Sequence, residues 1–155
     1  MANMQTVLNT IKGKKAMSEL RPEEFALEGG LADQVVLSFG GTKRKIKEAL
    51  KPTQLRKVFH TLKEIQQEVK AKDKSGKFDS TKLLRLTPEL AYATGRELLP
   101  RDFYLLLREC LDPKRLPTNA DFLRAFDFVE AILAYHKYRS EIGVPGKEQE
   151  EEDES

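Results

Sequence analysis

The chain has 155 residues, a length that favours one domain with a core large enough to need no disulfide or metal. Its composition, 39% apolar and 34% charged, is that of a soluble globule, and no apolar run approaches the roughly 20 residues that cross a membrane. The net charge of +2 conceals an asymmetry: six of the 25 acidic residues lie in residues 148–154, so residues 1–147 carry 27 bases against 19 acids. A basic body is compatible with a nucleic-acid partner.

One cysteine, Cys110, is too few for an intramolecular disulfide and suits a reducing compartment. It lies among leucines, so we expect a packed thiol rather than a reactive one. The N-terminal sequence lacks the pattern of a signal peptide. These features together predict a cytoplasmic protein.

The N-terminal part of the chain shows only short and weak signals. Residues 1–20 are polar and favour a frayed arm or a short helix. An Arg-Pro-Glu-Glu turn then opens a short helical piece, which a pair of glycines ends. Residues 31–39 (LADQVVLSF) permit a helix or a strand, and we favour the helix because a lone strand would have no partner.

Residues 42–51 (TKRKIKEALK) are rich in bases and would form a helix with one basic face. Pro52 interrupts it, because proline pushes the preceding residue out of the α region. Thr53 is then the expected cap of a helix over residues 54–71, whose apolar positions repeat with a helical period. Its outer face is basic and carries Arg56, Lys57, Lys63 and Lys70, and Arg56, Lys63 and Lys70 form one row at intervals of seven residues.

Residues 72–80 (KDKSGKFDS) predict a loop. Beyond it, Thr87, Pro88 and Glu89 form a helix-start pattern: a cap, a proline at the first position and an acid in the first turn. This pattern predicts a helix over residues 88–94 that the following glycine ends.

Two more helices complete the chain. One, over residues 100–111, would bury an apolar face before an Asp-Pro pair breaks it. The strongest signal covers residues 119–140, with Asn119 as the expected cap and a length of about 30 Å. Two adjacent apolar rows cover more than half of this helix, so we expect neighbours on at least two sides: Phe122, Phe126, Val129, Leu133 and His136 in one row, and Ala125, Phe128, Ile132 and Tyr135 in the other.

These elements predict an all-α fold, an irregular bundle of about five helices with no sheet. We expect an N-terminal arm with short helices over residues 1–41, a helical bundle over residues 42–142 and a disordered acidic tail over residues 143–155. The tail would either keep the chain in solution or compete weakly with an anionic ligand for the basic face.

Motifs for catalysis are absent from the sequence. His60 and His136 lack metal-ligand spacing, and there is no phosphate-binding glycine loop or nucleophile elbow. Asp127 and Glu130 share a helix face, but ordinary surface acids are favoured. We therefore expect no catalytic residue, no metal and no cofactor. Bases without a base-reading motif favour contacts with phosphates, which carry no sequence information.

Three stretches carry a resemblance to a known family: residues 53–59 (TQLRKVF), 90–96 (LAYATGR) and 128–138 (FVEAILAYHKY). In this order and spacing they resemble the small subunit (Csm2) of the type III-A CRISPR RNA-guided effector, the Csm complex. The resemblance covers about residues 52–138 and leaves the N-terminal part and the acidic tail outside.

The resemblance implies a non-catalytic subunit of an antiviral defence complex in the prokaryotic cytoplasm. Copies would stack head to tail in a filament along guide RNA and target RNA and hold the RNA backbone without sequence specificity. The other partners implied are the backbone and large subunits of the complex, which carry its cleavage and signalling activities. No membrane partner is implied.

By position, the resemblance assigns RNA contacts to Arg56, Lys57, Arg96 and Lys137 in the matched stretches. Lys63 joins them from helix geometry alone. Tyr92, Tyr135 and Tyr138 could contact RNA, but core packing is favoured because buried aromatic rings usually serve burial. Two alternatives stay open: a helical protein–protein adaptor, and the small subunit of the type III-B complex.

Overall fold

The structure is a computed structural model that describes residues 3–146. Within that range the chain forms eight α-helices and no strand. They are α1 (Met4–Lys12), α2 (Pro22–Phe25), α3 (Leu31–Leu37), α4 (Lys43–Ala49), α5 (Pro52–Lys70), α6 (Thr81–Gly95), α7 (Arg101–Cys110) and α8 (Asn119–Ile142), with 3₁₀ turns at Met17–Glu19 and Pro113–Arg115. The predicted all-α class is confirmed, but the described residues form eight helices rather than about five.

Helix α8 is the longest helix and lies at the centre, in contact with α3, α4 and α5. Its phenylalanines pack against aromatic rings from three other parts of the chain: Phe122 stacks on Phe78 with ring centres 4.7 Å apart, Phe126 stacks on Phe59 at 5.4 Å, and Phe128 meets Phe25 edge-on at 5.4 Å. All three α8 rings are fully buried. The expectation of neighbours on at least two sides is therefore confirmed.

The start of α8 corrects the predicted cap by one residue. Thr118, not Asn119, is the cap: its side chain accepts from the Asp121 backbone N–H, and the Asp121 carboxylate accepts from the Thr118 backbone N–H. Burial alone would raise the pKa of Asp121, but hydrogen bonds from Thr118 and Ser18 lower it overall. Asn119 is instead the first helical residue, and its side chain donates to the Asp73 carbonyl at 2.8 Å.

Of the two alternatives for residues 1–20, a frayed arm or a short helix, the structure shows the short helix. Helix α1 packs against α3 and α7 and buries one apolar face at helical spacing, which consists of Met4, Val7, Leu8 and Ile11. Asn3 caps its start by accepting from the Gln5 N–H. The described part of residues 1–41 thus shares one hydrophobic core with the rest of the bundle.

Two prolines occupy positions that differ from the predictions. Helix α5 begins at Pro52 itself, one residue before the expected cap Thr53. Helix α6 begins at Thr81, so Pro88 lies inside the helix and does not start it. The apolar stripe of α6 explains this, because it runs unbroken past the proline through Leu83, Leu86, Leu90 and Ala93. Pro88 is exposed, so water can donate to the backbone carbonyl that would otherwise accept from an N–H at this position.

A buried ion pair fixes α3 against α8. The Arg139 guanidinium donates to both carboxylate oxygens of Asp33, at 2.9 and 2.7 Å, and Asp33 is fully buried. Hydrogen bonding to Asp33 raises the pKa of Arg139. A bidentate pair of this kind sets both the distance and the rotation between the two helices.

Three further expectations concern the remaining parts of the chain. Cys110 is a free, fully buried thiol whose pKa is raised by burial, so the expected packed thiol is confirmed. No helix among residues 3–146 combines the length and apolar character that a membrane span requires. Most of the predicted acidic tail, from residue 147 onward, lies outside the described residues.

Candidate nucleic-acid interface

A groove of about 340 Å³ runs between α5 and α8, with the end of α4 at one side. Its apolar surface comes from Leu55, Phe59 and Leu133, which belong to the partly buried layer around the core. The remaining lining is polar or charged, apart from Pro52, and consists of Lys47, Arg56, His136, Lys137, Ser140 and Glu141. The groove therefore combines an apolar floor with a mainly basic rim.

The three bases of the rim come from three different helices. Lys47 lies on α4, Arg56 on α5 and Lys137 on α8, and all three are exposed. Only the tertiary fold brings them together. Three cations around one groove concentrate positive potential there and suit an anionic ligand.

Glu141 is the acid within this basic rim. Its carboxylate accepts from the Lys137 amine at 2.9 Å. That hydrogen bond lowers the pKa of Glu141, and the nearby charges of Lys137, Lys47 and Lys43 lower it further. The two residues are four positions apart on α8, the usual spacing of an ion pair on a helix surface.

Lys63 extends the basic edge along α5. It lies seven residues after Arg56, which corresponds to about 10 Å along the helix. Its amine lies 5.7 Å from the centre of the Phe126 ring, which is within the range of a cation–π contact. Because Phe126 stacks on the groove residue Phe59, this lysine continues the same seam between α5 and α8.

His136 lies in the wall of the groove and has a structural role. Its Nε2 is 2.8 Å from the Ile46 carbonyl oxygen, which only accepts, so Nε2 carries the proton. Burial lowers the pKa of His136, although the hydrogen bond to Ile46 acts in the opposite direction. The ring thus ties α4 to α8 and contributes no charge to the rim at neutral pH. His60, by contrast, is exposed, and its Nε2 lies 2.7 Å from the Glu64 carboxylate oxygen Oε1.

The five residues predicted to contact RNA fall into two groups. Arg56, Lys63 and Lys137 lie along the α5–α8 seam. Lys57 is exposed on α5 but outside the groove lining. Arg96 lies just after α6, where its guanidinium is 5.8 Å from the centre of the exposed Tyr92 ring.

Helices α5 and α6 are antiparallel, since Lys82 at the start of α6 pairs with Glu68 near the end of α5. Arg96 is therefore at the same end of this helix pair as Arg56, but on the α6 side. Lys47 is the rim base that the sequence did not single out. The base-rich pattern of residues 42–51 indicated a basic helix face, but no local signal shows which neighbour that face meets.

Other candidate chemistry is weak in the described part of the chain. Asp127 and Glu130 are exposed, as expected of surface acids, and partial burial together with the nearby Glu130 charge raises the pKa of Asp127. Among residues 3–146, no cluster of three or more His, Cys, Asp or Glu side chains could hold a metal ion. The basic lining of the groove, by contrast, suits an anion.

A comparison with protein families places the groove inside a matched region. The family model described as Csm2 Type III-A matches residues 35–141, which is more than half of the chain. The match includes all three helices that line the groove and leaves α1 and α2 outside. Comparisons with curated proteins and with solved structures both find no match.

Proposed function

Because the chain belongs to the Csm2 family, the small subunits of the type III-A CRISPR Csm complex, we propose that its α5–α8 groove holds the backbone of RNA. The family is a non-catalytic one within that complex, which also contains other subunits. The observation that carries the proposal is the convergence of Lys47, Arg56 and Lys137 from three helices on one groove.

The chemistry of the rim supports contact with phosphates rather than with base edges. Arg56 offers a planar fork that matches phosphate oxygens, and the two lysines supply point charges. Phosphate contacts fix position without reading sequence. A subunit that must accept any guide RNA and any target RNA needs this kind of contact.

Along a longer RNA, one copy would contribute only a few contacts. In this proposal several copies stack head to tail in a filament, next to the backbone subunits, and their grooves bind successive parts of the guide–target RNA. Linked weak sites of this kind reach a high total affinity without any new contact. The predicted contacts of Lys57 and Arg96, outside the groove, remain part of the proposal for the assembled complex.

The direct test is fluorescence-anisotropy binding of two unrelated single-stranded RNAs and one duplex at low and moderate salt. We expect binding that weakens with salt and is equal for the two sequences. The double variant Arg56→Ala/Lys137→Ala should lose most of this affinity, because it removes two of the three rim cations. Arg96→Ala is measured separately and shows whether the surface after α6 contributes.

The matched control is Lys15→Ala/Lys114→Ala, which removes the same charge from exposed positions that do not line the groove. If the control weakens binding as much as the groove variant, only net charge matters and the groove assignment is wrong. A strong preference for one sequence would also contradict the proposal. Absence of RNA binding together with tight capture of a protein partner would favour the helical adaptor instead.

A further inference from the structure

A run of acids follows the described part of the chain, which ends at Gly146. Residues 148–154 (EQEEEDE) hold six acids and no base, and we call them the acidic segment. Fully extended, a chain of this composition presents roughly one negative charge per 4 Å, close to the one charge per ~3.4 Å of a single nucleic-acid strand. In charge density the acidic segment therefore resembles the backbone of the RNA that the groove is proposed to hold.

The rim of the α5–α8 groove carries positive charge that the described residues do not neutralise. Lys137 pairs with Glu141 at 2.9 Å. Lys47 and Arg56, by contrast, are exposed and form no ion pair with another residue among 3–146. Two cations at one groove are thus left to attract an anion from outside this range.

Helix α4 adds to this positive charge and is the most basic of the three helices that line the groove. Its seven residues hold four bases and one acid, a net charge of +3. The acid, Glu48, pairs with Arg44 at 3.3 Å. The hydrogen bond from Lys137 is the main reason why the pKa of Glu141 is lowered, but the charge of Lys43 also contributes. Lys43 therefore lies close to the rim, and the basic surface of α4 continues into the groove.

The described chain ends within reach of this basic surface. Glu141 lines the groove, and Gly146 follows five residues later, so at ~3.6 Å per residue the two lie at most about 18 Å apart. Between them, Val144 packs against the core, and the Gly143 N–H donates to the Arg139 carbonyl at 2.8 Å. Eight further residues, 147–154, can span about 29 Å. The acidic segment is therefore long enough to reach every base of the rim in its own chain.

We propose that the acidic segment binds the α5–α8 groove of its own chain and occupies the basic rim until RNA displaces it. Its carboxylates take the places of phosphates, since both anions accept charge-assisted hydrogen bonds from lysine and arginine. The inference rests on the proposed function, because it assigns a regulation to the same site. Displacing a tethered competitor takes several phosphates at once, so short RNA fragments are held back more than a long guide–target duplex.

The expected size of the effect follows from the tether. A segment on a short linker has an effective concentration of about 1 mM near its site. Non-specific contacts with phosphates have dissociation constants up to about 10⁻⁴ M. An acidic segment that binds as weakly as this lowers the affinity for RNA roughly tenfold, the ratio of the two concentrations.

Zero-length cross-linking of the full chain without RNA tests where the acidic segment lies. A water-soluble carbodiimide joins a carboxylate to a lysine amine in contact with it, and mass spectrometry identifies the pair. We expect the acidic segment to couple to Lys43, Lys47 and Lys137. Lys15 and Lys114, which are exposed but do not line the groove, are the controls. A mixture of isotopically light and heavy chains separates coupling within one chain from coupling between chains.

Two outcomes of this experiment would overturn the inference. Coupling to the control lysines that equals coupling to the rim lysines would mean that the acidic segment has no preferred place. A predominance of light–heavy pairs would mean that it binds another copy instead of its own chain.

A double-mutant cycle tests whether the contact regulates RNA binding. In the neutral-tail variant every acid of the acidic segment is replaced by its amide: Glu148→Gln, Glu150→Gln, Glu151→Gln, Glu152→Gln, Asp153→Asn and Glu154→Gln. At low salt this variant should bind RNA roughly tenfold more tightly than the wild type. The same change in the Arg56→Ala/Lys137→Ala background should give a much smaller gain, because the acidic segment has lost two of its partners.

An equal gain in both backgrounds would show that the acids act only through the charge of the whole chain, and no gain would show that they do not compete with RNA. Either result overturns the inference. A chain that cross-links as expected but binds no RNA keeps the contact and loses the proposed function. A chain that binds RNA through the groove but couples equally to the control lysines keeps the proposed function and loses the contact.

Discussion

Arg139 and Lys137 lie two residues apart on α8, and they show how differently the two sides of this helix are used. The Arg139 side chain is 5% exposed and is held between Asp33 and Glu28. Its charge therefore stabilises the packing of α8 against α3. The Lys137 side chain is 78% exposed and lies on the rim of the α5–α8 groove. The α3 side of the helix is closed by a buried ion pair, whereas its α5 side stays open and basic. The position of a base on α8, rather than its charge, therefore decides whether it stabilises the fold or can contact a ligand.

The largest expected effect comes from breaking the ion pair between Arg139 and Asp33 on the α3 side of α8. Arg139→Met should lower the free energy of unfolding by about 3–5 kcal/mol, because it leaves the fully buried carboxylate of Asp33 without its partner. Urea unfolding followed by circular dichroism measures this change. The double variant Arg139→Met/Asp33→Leu should recover much of the loss, since no buried charge remains. A loss below about 1 kcal/mol in the single variant would show that the pair is not as enclosed as its geometry indicates.

A smaller effect, dependent on pH, is expected at His136, which lines the groove and joins α8 to α4. Its pKa in the folded state is lowered below the ordinary value of 6.5, mainly by burial. The neutral ring therefore stabilises the fold above pH 6.5, and this contribution is lost as the pH falls through the lowered pKa. The urea midpoint of the wild type should accordingly drop more between pH 8 and pH 5 than that of His136→Gln. Parallel pH profiles for the two proteins would contradict this role.

On the open side, Lys137→Gln should leave stability almost unchanged and weaken RNA binding. A surface substitution of this kind changes the free energy of unfolding by less than about 0.5 kcal/mol. The loss of one phosphate contact should reduce the slope of log affinity against log salt by about 0.7 for single-stranded RNA. Anisotropy titrations at several salt concentrations give this slope, with Lys114→Gln as the matched control. An unchanged slope would remove Lys137 from the interface.

The apolar core between α5 and α8 was largely predictable from the sequence. The stripes of α5 and α8 repeat at helical spacing, because a helix that packs on one side must keep that side apolar. From these long periodic patterns the all-α class and most of the core residues could be predicted. Helix ends were less predictable: Thr118 and Asn119 are both good caps, and only the geometry of the Asp121 carboxylate decides between them.

The errors came from features that depend on tertiary packing. A Thr-Pro-Glu pattern predicts a helix start locally, yet burial of Leu83 and Leu86 extends α6 past Pro88. Along the groove, the row of Arg56 and Lys63 followed from one helix alone. The meeting of that row with Lys47 and Lys137 depends on how three helices pack, which periodicity within each helix does not encode.

The smallest expected effect concerns Glu141, the acid in the open rim. Glu141→Gln should tighten RNA binding at low salt, because it removes a negative charge that now occupies Lys137 and lies close to Lys47. The gain should shrink at 0.15 M salt, where the screening length is about 8 Å. Glu89→Gln removes the same charge from the exposed side of α6 and serves as the control. If both variants tighten binding equally, RNA responds to the charge of the whole chain, and the difference between the two sides of α8 has no bearing on RNA binding. A gain confined to Glu141→Gln would mean that the groove itself is the anion site, since only there does the removed carboxylate compete directly with phosphate.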